Sequence, residues 1–127
     1  MAFKVLIVDD SKLARMSVAK VLDKLYPDWT RIEATNAEEA IALVKQSAID
    51  MALLDFNMPG RDGLTLGAEV RKLDPNIALA VVSANAQQEI VERAGEIGAT
   101  FLAKPLTEAS LGAFMAEAED RLKAASR

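Results

Sequence analysis

Three uninterrupted apolar runs constrain the fold of this chain more than any other feature of its sequence. They cover residues 5–8, 51–54 and 77–82, and none alternates between apolar and polar side chains. Such runs are typical of strands that are covered on both faces, as in a parallel sheet. Each run ends at a polar residue, namely Asp9, Asp55 and Ser83. The end of each buried strand is therefore the first place to look for a site.

Helical patterns separate the predicted strands. Two shorter strands are expected at residues 30–34 and 100–103, and the charge of the first of these suits a sheet edge. Ser11, Asn36 and Thr107 are placed to cap the first, second and last helices, and the fourth helix is expected at residues 86–97. A strand–helix unit repeated five times predicts an α/β fold with a parallel five-stranded sheet, right-handed crossovers and helices on both faces.

The composition excludes several classes of function. The chain has no Cys, which rules out disulfides, thiolate zinc sites and a cysteine nucleophile. It has no His, which rules out a Ser-His-Asp triad and an internal phosphohistidine. Scattered Lys and Arg residues argue against direct nucleic-acid binding, and there is neither a signal peptide nor a run long enough for membrane insertion. We expect one cytoplasmic domain over residues 1–127.

Polar side chains that could share one site lie directly after four of the predicted strands. They are the pair Asp9 and Asp10, then Asp55, Ser83 and Lys104. Because the carboxyl ends of parallel strands share one edge of the sheet, these side chains can converge there. Three clustered carboxylates take up protons or hold a cation, and an oxygen-only set suits Mg²⁺, or Mn²⁺ as an alternative, better than zinc. A lysine and a hydroxyl in the same pocket suit a phosphoryl group, with an Asp as its nucleophile.

Each of these residues also has a purely structural interpretation. Asp55 could cap a loop, and the acidic pair could be favourable charges at a helix start. Taken alone, Ser83 would usually be a turn residue and Lys104 a solvated surface side chain. Their common position directly after apolar strands favours a shared site.

Four groups of residues together form a specific pattern across essentially the whole chain. They are Asp9-Asp10, the motif that runs from Asp55 through Met58-Pro59-Gly60 to Asp62-Gly63, Ser83-Ala84 and Lys104-Pro105. This pattern resembles the receiver domain of bacterial two-component response regulators. The resemblance implies a flavodoxin-like fold with strand order 2-1-3-4-5 and a stand-alone, chemotaxis-regulator-like switch.

The resemblance also implies a role for each site residue. Asp55 would accept a phosphoryl group from a histidine kinase or a histidine phosphotransfer protein, in a Mg²⁺-dependent reaction. Asp9, Asp10, Asp55 and the main-chain carbonyl of Asn57 would bind the metal ion. Ser83, Lys104 and the main chain of Ala84 would bind the phosphoryl group, and Asn57 and Asn85 would tune dephosphorylation. Ser83 and Phe101 would form the switch. Ser83 stands where Thr is also common, and Phe101 where Tyr is often found.

The resemblance implies that the chain passes its signal on by contact with another protein, since no DNA-binding or catalytic output domain is apparent. The expected output face comprises the fourth helix, the fifth strand and the last helix, with exposed candidates Gln87, Gln88, Val91, Glu92 and Phe101. By this interpretation the chain is not an enzyme beyond its own phosphoryl transfer and slow dephosphorylation.

Two other functions stay open at this point. One is a phosphorelay intermediate that passes its phosphoryl group to a histidine phosphotransfer protein. The other is a Mg²⁺-dependent aspartyl phosphohydrolase. Such hydrolases usually carry Asp-x-Asp after the first strand, whereas here the pair Asp9-Asp10 is adjacent and Asp55 lies on a later strand. The hydrolase is therefore disfavoured.

Overall fold

Five strands alternate with five helices in the computed structural model, which describes residues 2–125. The strands are β1 (Lys4–Val8), β2 (Thr30–Ala34), β3 (Met51–Asp55), β4 (Ala78–Ser83) and β5 (Ala99–Ala103). The helices are α1 (Lys12–Leu25), α2 (Ala37–Gln46), α3 (Gly63–Leu73), α4 (Gln88–Glu96) and α5 (Glu108–Ala125). All strand pairs are parallel and the order is β2-β1-β3-β4-β5, which confirms the predicted fold. A single domain over residues 1–127 stays a prediction.

The sheet is covered on both faces, which explains the unbroken apolar runs. Val5 and Ile7 of β1 pack into a core with α1 and α5, whereas Leu6 and Val8 pack into a second core with α2 and α3. Successive side chains of a strand point to opposite faces, so both sets must be apolar when both faces are buried. Among residues 2–125, none of the helices combines the length and apolar character that a membrane span requires.

The caps predicted for three helices are confirmed. The side chain of Ser11 accepts from the N–H of Ala14, and that of Asn36 accepts from the N–H of Glu39. Thr107 Oγ1 accepts from the N–H of Ser110 at 3.0 Å, directly before α5. These bonds satisfy donors that the first turn of a helix leaves without a partner inside the helix.

The fourth helix begins later than predicted, at Gln88 rather than residue 86. The reason lies in the loop that precedes it. Ser83 Oγ accepts from the N–H of Asn85 at 3.0 Å, and Asn85 Oδ1 accepts from the N–H of Gln87 at 3.3 Å. Such local side-chain bonds give the backbone an alternative to helix. Gln87 therefore belongs to the loop, and the expected helix start was wrong.

The start of α3 lies against the end of β3. The N–H of Gly63 donates to the carbonyl of Phe56 at 3.0 Å. A Cβ added at Gly63 would lie 2.5 Å from the carbonyl oxygen of Asp55. Because that obstacle is backbone, no side-chain rotation can relieve the overlap. Only glycine, which has no Cβ, can lie this close to the main chain of Asp55, the last residue of β3.

Replacing Gly63 with Ala should lower the free energy of unfolding by about 1–3 kcal/mol, the usual cost of forced overlap in a packed region. Urea denaturation measures the change. Gly95→Ala is the matched control, because a Cβ added there meets nothing within 4 Å. Alanine in that helix should be neutral or add up to about 1 kcal/mol. Equal stability of the two variants would contradict this account of Gly63.

Candidate functional site

The carboxyl ends of β1, β3, β4 and β5 lie side by side, because these strands are successive neighbours in the sheet. Asp55 and Ser83 are the last residues of β3 and β4, and Lys104 directly follows β5. Backbone hydrogen bonds continue the strand pairing one residue past β1 and β5. The N–H of Asp9 donates to the main-chain carbonyl of Ala34, and the N–H of Lys104 donates to the main-chain carbonyl of Ser83. The sheet therefore fixes where these side chains leave the backbone.

Asp9, Asp10 and Asp55 form one cluster. Each offers a carboxylate oxygen, and these oxygens lie within 4.8 Å of one another. Asp9 is 7% exposed and Asp55 is 4% exposed, whereas Asp10 faces solvent. Two charges at such a separation repel by on the order of 1 kcal/mol even in water, and by more where water is excluded. The cluster thus has a buried side, an open side and a deficit of positive charge.

Lys104 supplies part of the missing charge. Its Nζ lies 2.9 Å from Asp55 Oδ1 and 3.7 Å from Asp9 Oδ2. Burial alone would lower the pKa of Lys104, but the hydrogen bond and charge of Asp55, together with Asp9, outweigh burial and raise that pKa above its ordinary value. The ammonium group is therefore charged throughout the neutral range.

One lysine does not balance three carboxylates. Burial raises the pKa of Asp9 above its ordinary value, and the charges of Asp55 and Asp10 act in the same direction. The N–H of Ser11, which donates to Asp9 Oδ1 at 2.9 Å, and the charge of Lys104 oppose this rise without cancelling it. A protonated Asp9 is less disfavoured here than in water, so the cluster would gain from a further cation.

The cluster fits a small divalent cation. Its donors are all carboxylate oxygens, which Mg²⁺ prefers, and the open side at Asp10 leaves room for water ligands. Asp9, Asp10 and Asp55 are the residues that could hold the ion. Asn57 lies two residues past Asp55, exposed in the loop. The role of its main-chain carbonyl stays a prediction.

Ser83 is fully buried beside this cluster, but its hydroxyl oxygen is engaged elsewhere. It accepts the hydrogen bond from Asn85 N–H in the loop before α4. Ala84, the next residue, lines a cavity together with Asp55 and Lys104. Ser83 thus ends the strand next to β3, which ends at Asp55, while its hydroxyl oxygen is bonded to the loop before α4.

The cavity next to Asp55 has no counterpart among the sequence-based expectations. Its volume is about 490 Å³, and its apolar walls come from β1, α1, β3, β4 and the chain after β5. The residues that form these walls are Ile7, Val8, Ala14, Val18, Leu53, Val82, Pro105 and Leu106. Apart from Pro105, which belongs to the Lys104-Pro105 motif, these residues have the sequence pattern of ordinary core residues, so no local signal distinguishes a cavity wall from a filled core.

The residues predicted for an output face lie together on one side of the molecule. Phe101 is partly buried and packs against the core formed by Leu64, Val81, Ile90 and Ala94. The four other residues are exposed, and they are Gln87, Gln88, Val91 and Glu92. Within this group, the side-chain amide of Gln88 donates to Glu92 Oε1 across one turn of α4. The structure places this group beside β5, and its function stays a prediction.

Sequence comparison connects this geometry to known proteins. The sequence profile of the response regulator receiver domain matches residues 5–116. The chemotaxis protein CheY of Thermotoga maritima is 37% identical over 106 residues, which cover 83% of this chain and 88% of that protein. The sporulation initiation phosphotransferase F of Bacillus subtilis is 31% identical over 103 residues, which cover 80% of this chain and 82% of that protein.

A solved structure of the same fold contains a bound partner. It is the CheX–CheY complex with beryllofluoride and magnesium from Borrelia burgdorferi. The similar chain there is 31% identical and superposes with a TM-score of 0.81, over 89% of this chain and 86% of that one.

Charge repulsion in the cluster gives a direct prediction for Asp10. Asp10→Asn should raise the free energy of unfolding in EDTA by about 0.5–1 kcal/mol, because it removes one of three repelling charges. Millimolar MgCl₂ should stabilise the wild type and have little effect on the variant. Thermal or urea unfolding in both buffers measures the two effects.

Asp28→Asn is the control for Asp10→Asn, since Asp28 is an exposed acid outside the cluster. It should gain no stability in EDTA and should keep the response to MgCl₂. A destabilised Asp10→Asn protein, or one still stabilised by MgCl₂ as strongly as the wild type, would contradict the cluster as a cation site.

Proposed function

This chain belongs to the family of response regulator receiver domains, and on that premise we propose that it is a phosphorylatable switch of a two-component system. Asp55 is the proposed phosphoacceptor. The observation that supports this most strongly is the 2.9 Å contact between Lys104 Nζ and Asp55 Oδ1, within a carboxylate cluster that is open to solvent at Asp10. A cation already held against a buried carboxylate can pair with a phosphoryl group added to it.

In the proposed reaction, a carboxylate oxygen of Asp55 attacks the phosphorus of a phosphohistidine on another protein. The oxygen–phosphorus bond forms as the phosphorus–nitrogen bond breaks, and its electron pair returns to the imidazole, which takes a proton from solvent. The product is an acyl phosphate on Asp55. The donor histidine belongs to a partner because this chain contains none.

Asp9, Asp10 and Asp55, with the main-chain carbonyl of Asn57, are the proposed ligands of Mg²⁺. When bound, the ion neutralises charge on the phosphoryl oxygens during transfer. The N–H of Ser11 donates to Asp9 Oδ1 at 2.9 Å and so restrains that carboxylate. Lys104 and the main chain of Ala84 are the proposed partners of the phosphoryl oxygens.

Ser83 and Phe101 form the proposed switch. To bond a phosphoryl oxygen, the Ser83 hydroxyl would give up the 3.0 Å bond from Asn85 N–H. That change would free the loop before α4, which contains Asn85, the residue expected to tune dephosphorylation together with Asn57. The space left by Ser83 would admit Phe101 and alter the output face.

The proposed partners are one protein upstream and one protein downstream of this chain in the signalling system. A histidine kinase or histidine phosphotransfer protein donates the phosphoryl group, and a downstream protein recognises the altered output face. The Borrelia burgdorferi CheX–CheY complex supports protein contact as the mode of action of a similar chain. We expect turnover of the chain's own acyl phosphate only, so we do not propose an enzyme. The cytoplasmic location stays a prediction.

A phosphorelay intermediate is the second candidate, and the similarity to sporulation initiation phosphotransferase F favours it. The same acyl phosphate would then pass to a histidine of another protein. The experiment that separates the two candidates incubates the chain, phosphorylated with a radioactive phosphoryl group as its label, with a histidine phosphotransfer protein. Rapid transfer of label to the histidine favours a relay, whereas loss of label to water alone favours a switch.

The switch predicts a specific response to beryllofluoride, which mimics a phosphoryl group on a carboxylate. With Mg²⁺ present, amide NMR shifts of wild type should change both at the site and around Phe101. Asp55→Asn should abolish both sets of changes, because it removes the carboxylate that binds the mimic. Ser83→Ala should keep the changes at the site and lose most of those around Phe101.

Asp28→Asn again serves as the control and should respond as the wild type does. An unresponsive wild type, or a response that survives in Asp55→Asn, would refute Asp55 as the phosphoacceptor. Full shifts around Phe101 in Ser83→Ala would refute only the proposed switch.

A further inference from the structure

Arg15 reaches from the first turn of α1 back to the end of β1. Its Nη1 donates to the main-chain carbonyl of Asp9 at 2.7 Å, and its Nε donates to Glu33 Oε1 of β2 at 2.9 Å. The Arg15 side chain is 13% exposed and that of Glu33 is 42% exposed, so the bond to the Asp9 carbonyl is partly buried while the ion pair with Glu33 is open to solvent. Charge-assisted bonds of this kind are stronger than those between neutral groups. One guanidinium therefore ties α1, β1 and β2 together at the edge of the sheet that contains the site.

The carbonyl that Arg15 holds belongs to the peptide between Asp9 and Asp10. Because a peptide unit is planar, its orientation fixes the positions of the N and Cα atoms of Asp10, from which the Asp10 side chain extends. Asp9 has further supports of its own, since its N–H donates to Ala34 O at 3.1 Å and its Oδ1 accepts from Ser11 N–H at 2.9 Å. Arg15 provides the corresponding support on the side of Asp10.

We propose that Arg15 is a positioning residue, which holds the peptide between Asp9 and Asp10 in the orientation that binds Mg²⁺. This inference rests on the proposed function, in which both carboxylates are metal ligands. Arg15 acts through the backbone and does not touch the ion. Its positive charge would by itself oppose a cation, and the pairing with Glu33 offsets that effect.

Removal of the guanidinium has two consequences of opposite sign, which makes the proposal testable. Loss of a nearby positive charge tightens cation binding, and because Glu33 already offsets the charge of Arg15, we expect that gain to be a few-fold at most. Loss of a group that orients metal ligands weakens binding, typically by about 10–100-fold. The second effect is the larger one if Arg15 positions the acidic pair.

The experiment measures the Mg²⁺ dissociation constant of the full chain by titration with MgCl₂, followed through amide NMR shifts near the site. Arg15→Gln should raise the constant about tenfold. Arg15→Lys keeps the charge but lacks the planar fork that reaches two acceptors at once, so it should also raise the constant. If charge alone mattered, Arg15→Gln would bind Mg²⁺ more tightly and Arg15→Lys would match the wild type.

Arg31→Gln is the matched control. The pair of Arg31 with Asp23 also joins β2 to α1, but at the opposite ends of both elements. This variant should keep the wild-type dissociation constant, whatever its loss of stability. Urea unfolding in EDTA reports that loss for every variant and separates general destabilisation from a change confined to the site.

The outcomes separate this inference from the proposed function. Weaker binding in both Arg15 variants, with Arg31→Gln unchanged, supports positioning by Arg15. Wild-type or tighter binding in either Arg15 variant overturns it while leaving the proposed function standing. A wild type that shows no Mg²⁺-dependent shifts at Asp10 and Asp55 overturns both.

Discussion

The contact between Lys104 and Asp55 is the interaction on which the rest of the site depends. Three carboxylates whose oxygens lie within 4.8 Å of one another are costly in a partly buried place, and a single ammonium group 2.9 Å from Asp55 offsets part of that cost. The offset is incomplete: burial first, and then the charges of Asp55 and Asp10, keep the pKa of Asp9 above its ordinary value despite Lys104. The cluster consequently remains acidic enough to attract a divalent cation, while Lys104 is in place to meet an incoming anion.

The sheet makes this arrangement possible because its hydrogen bonding continues beyond the strands. Phe56 N–H donates to Val82 O at 2.9 Å, just as Asp9 and Lys104 are bonded to neighbouring strands. The backbone at these positions is therefore held by hydrogen bonds of the same kind as those inside the sheet. Gly63 then lets α3 begin against the Asp55 carbonyl, at the same edge of the sheet where Asp10 is exposed.

Much of the fold and of the candidate site could be predicted from the sequence, because both depend on local patterns. The unbroken run before Asp55 indicated a strand buried on two faces, and the capping residues marked helix starts. The late start of α4 could not be predicted, since it depends on side-chain bonds made by Ser83 and Asn85 within the loop. Arg15 gave no signal either, because its partners Asp9 and Glu33 are brought together only by the β1–β2 pairing.

The most direct test of the account is the position of the phosphoryl group itself. The chain is incubated with Mg²⁺ and acetyl phosphate and treated with borohydride, which reduces an aspartyl acyl phosphate to a stable alcohol. Tandem mass spectrometry of the peptides then locates the reduced residue. The account predicts reduction at Asp55 alone, and only when Mg²⁺ is present. Reduction at Asp9 or Asp10, or none at all, would contradict it.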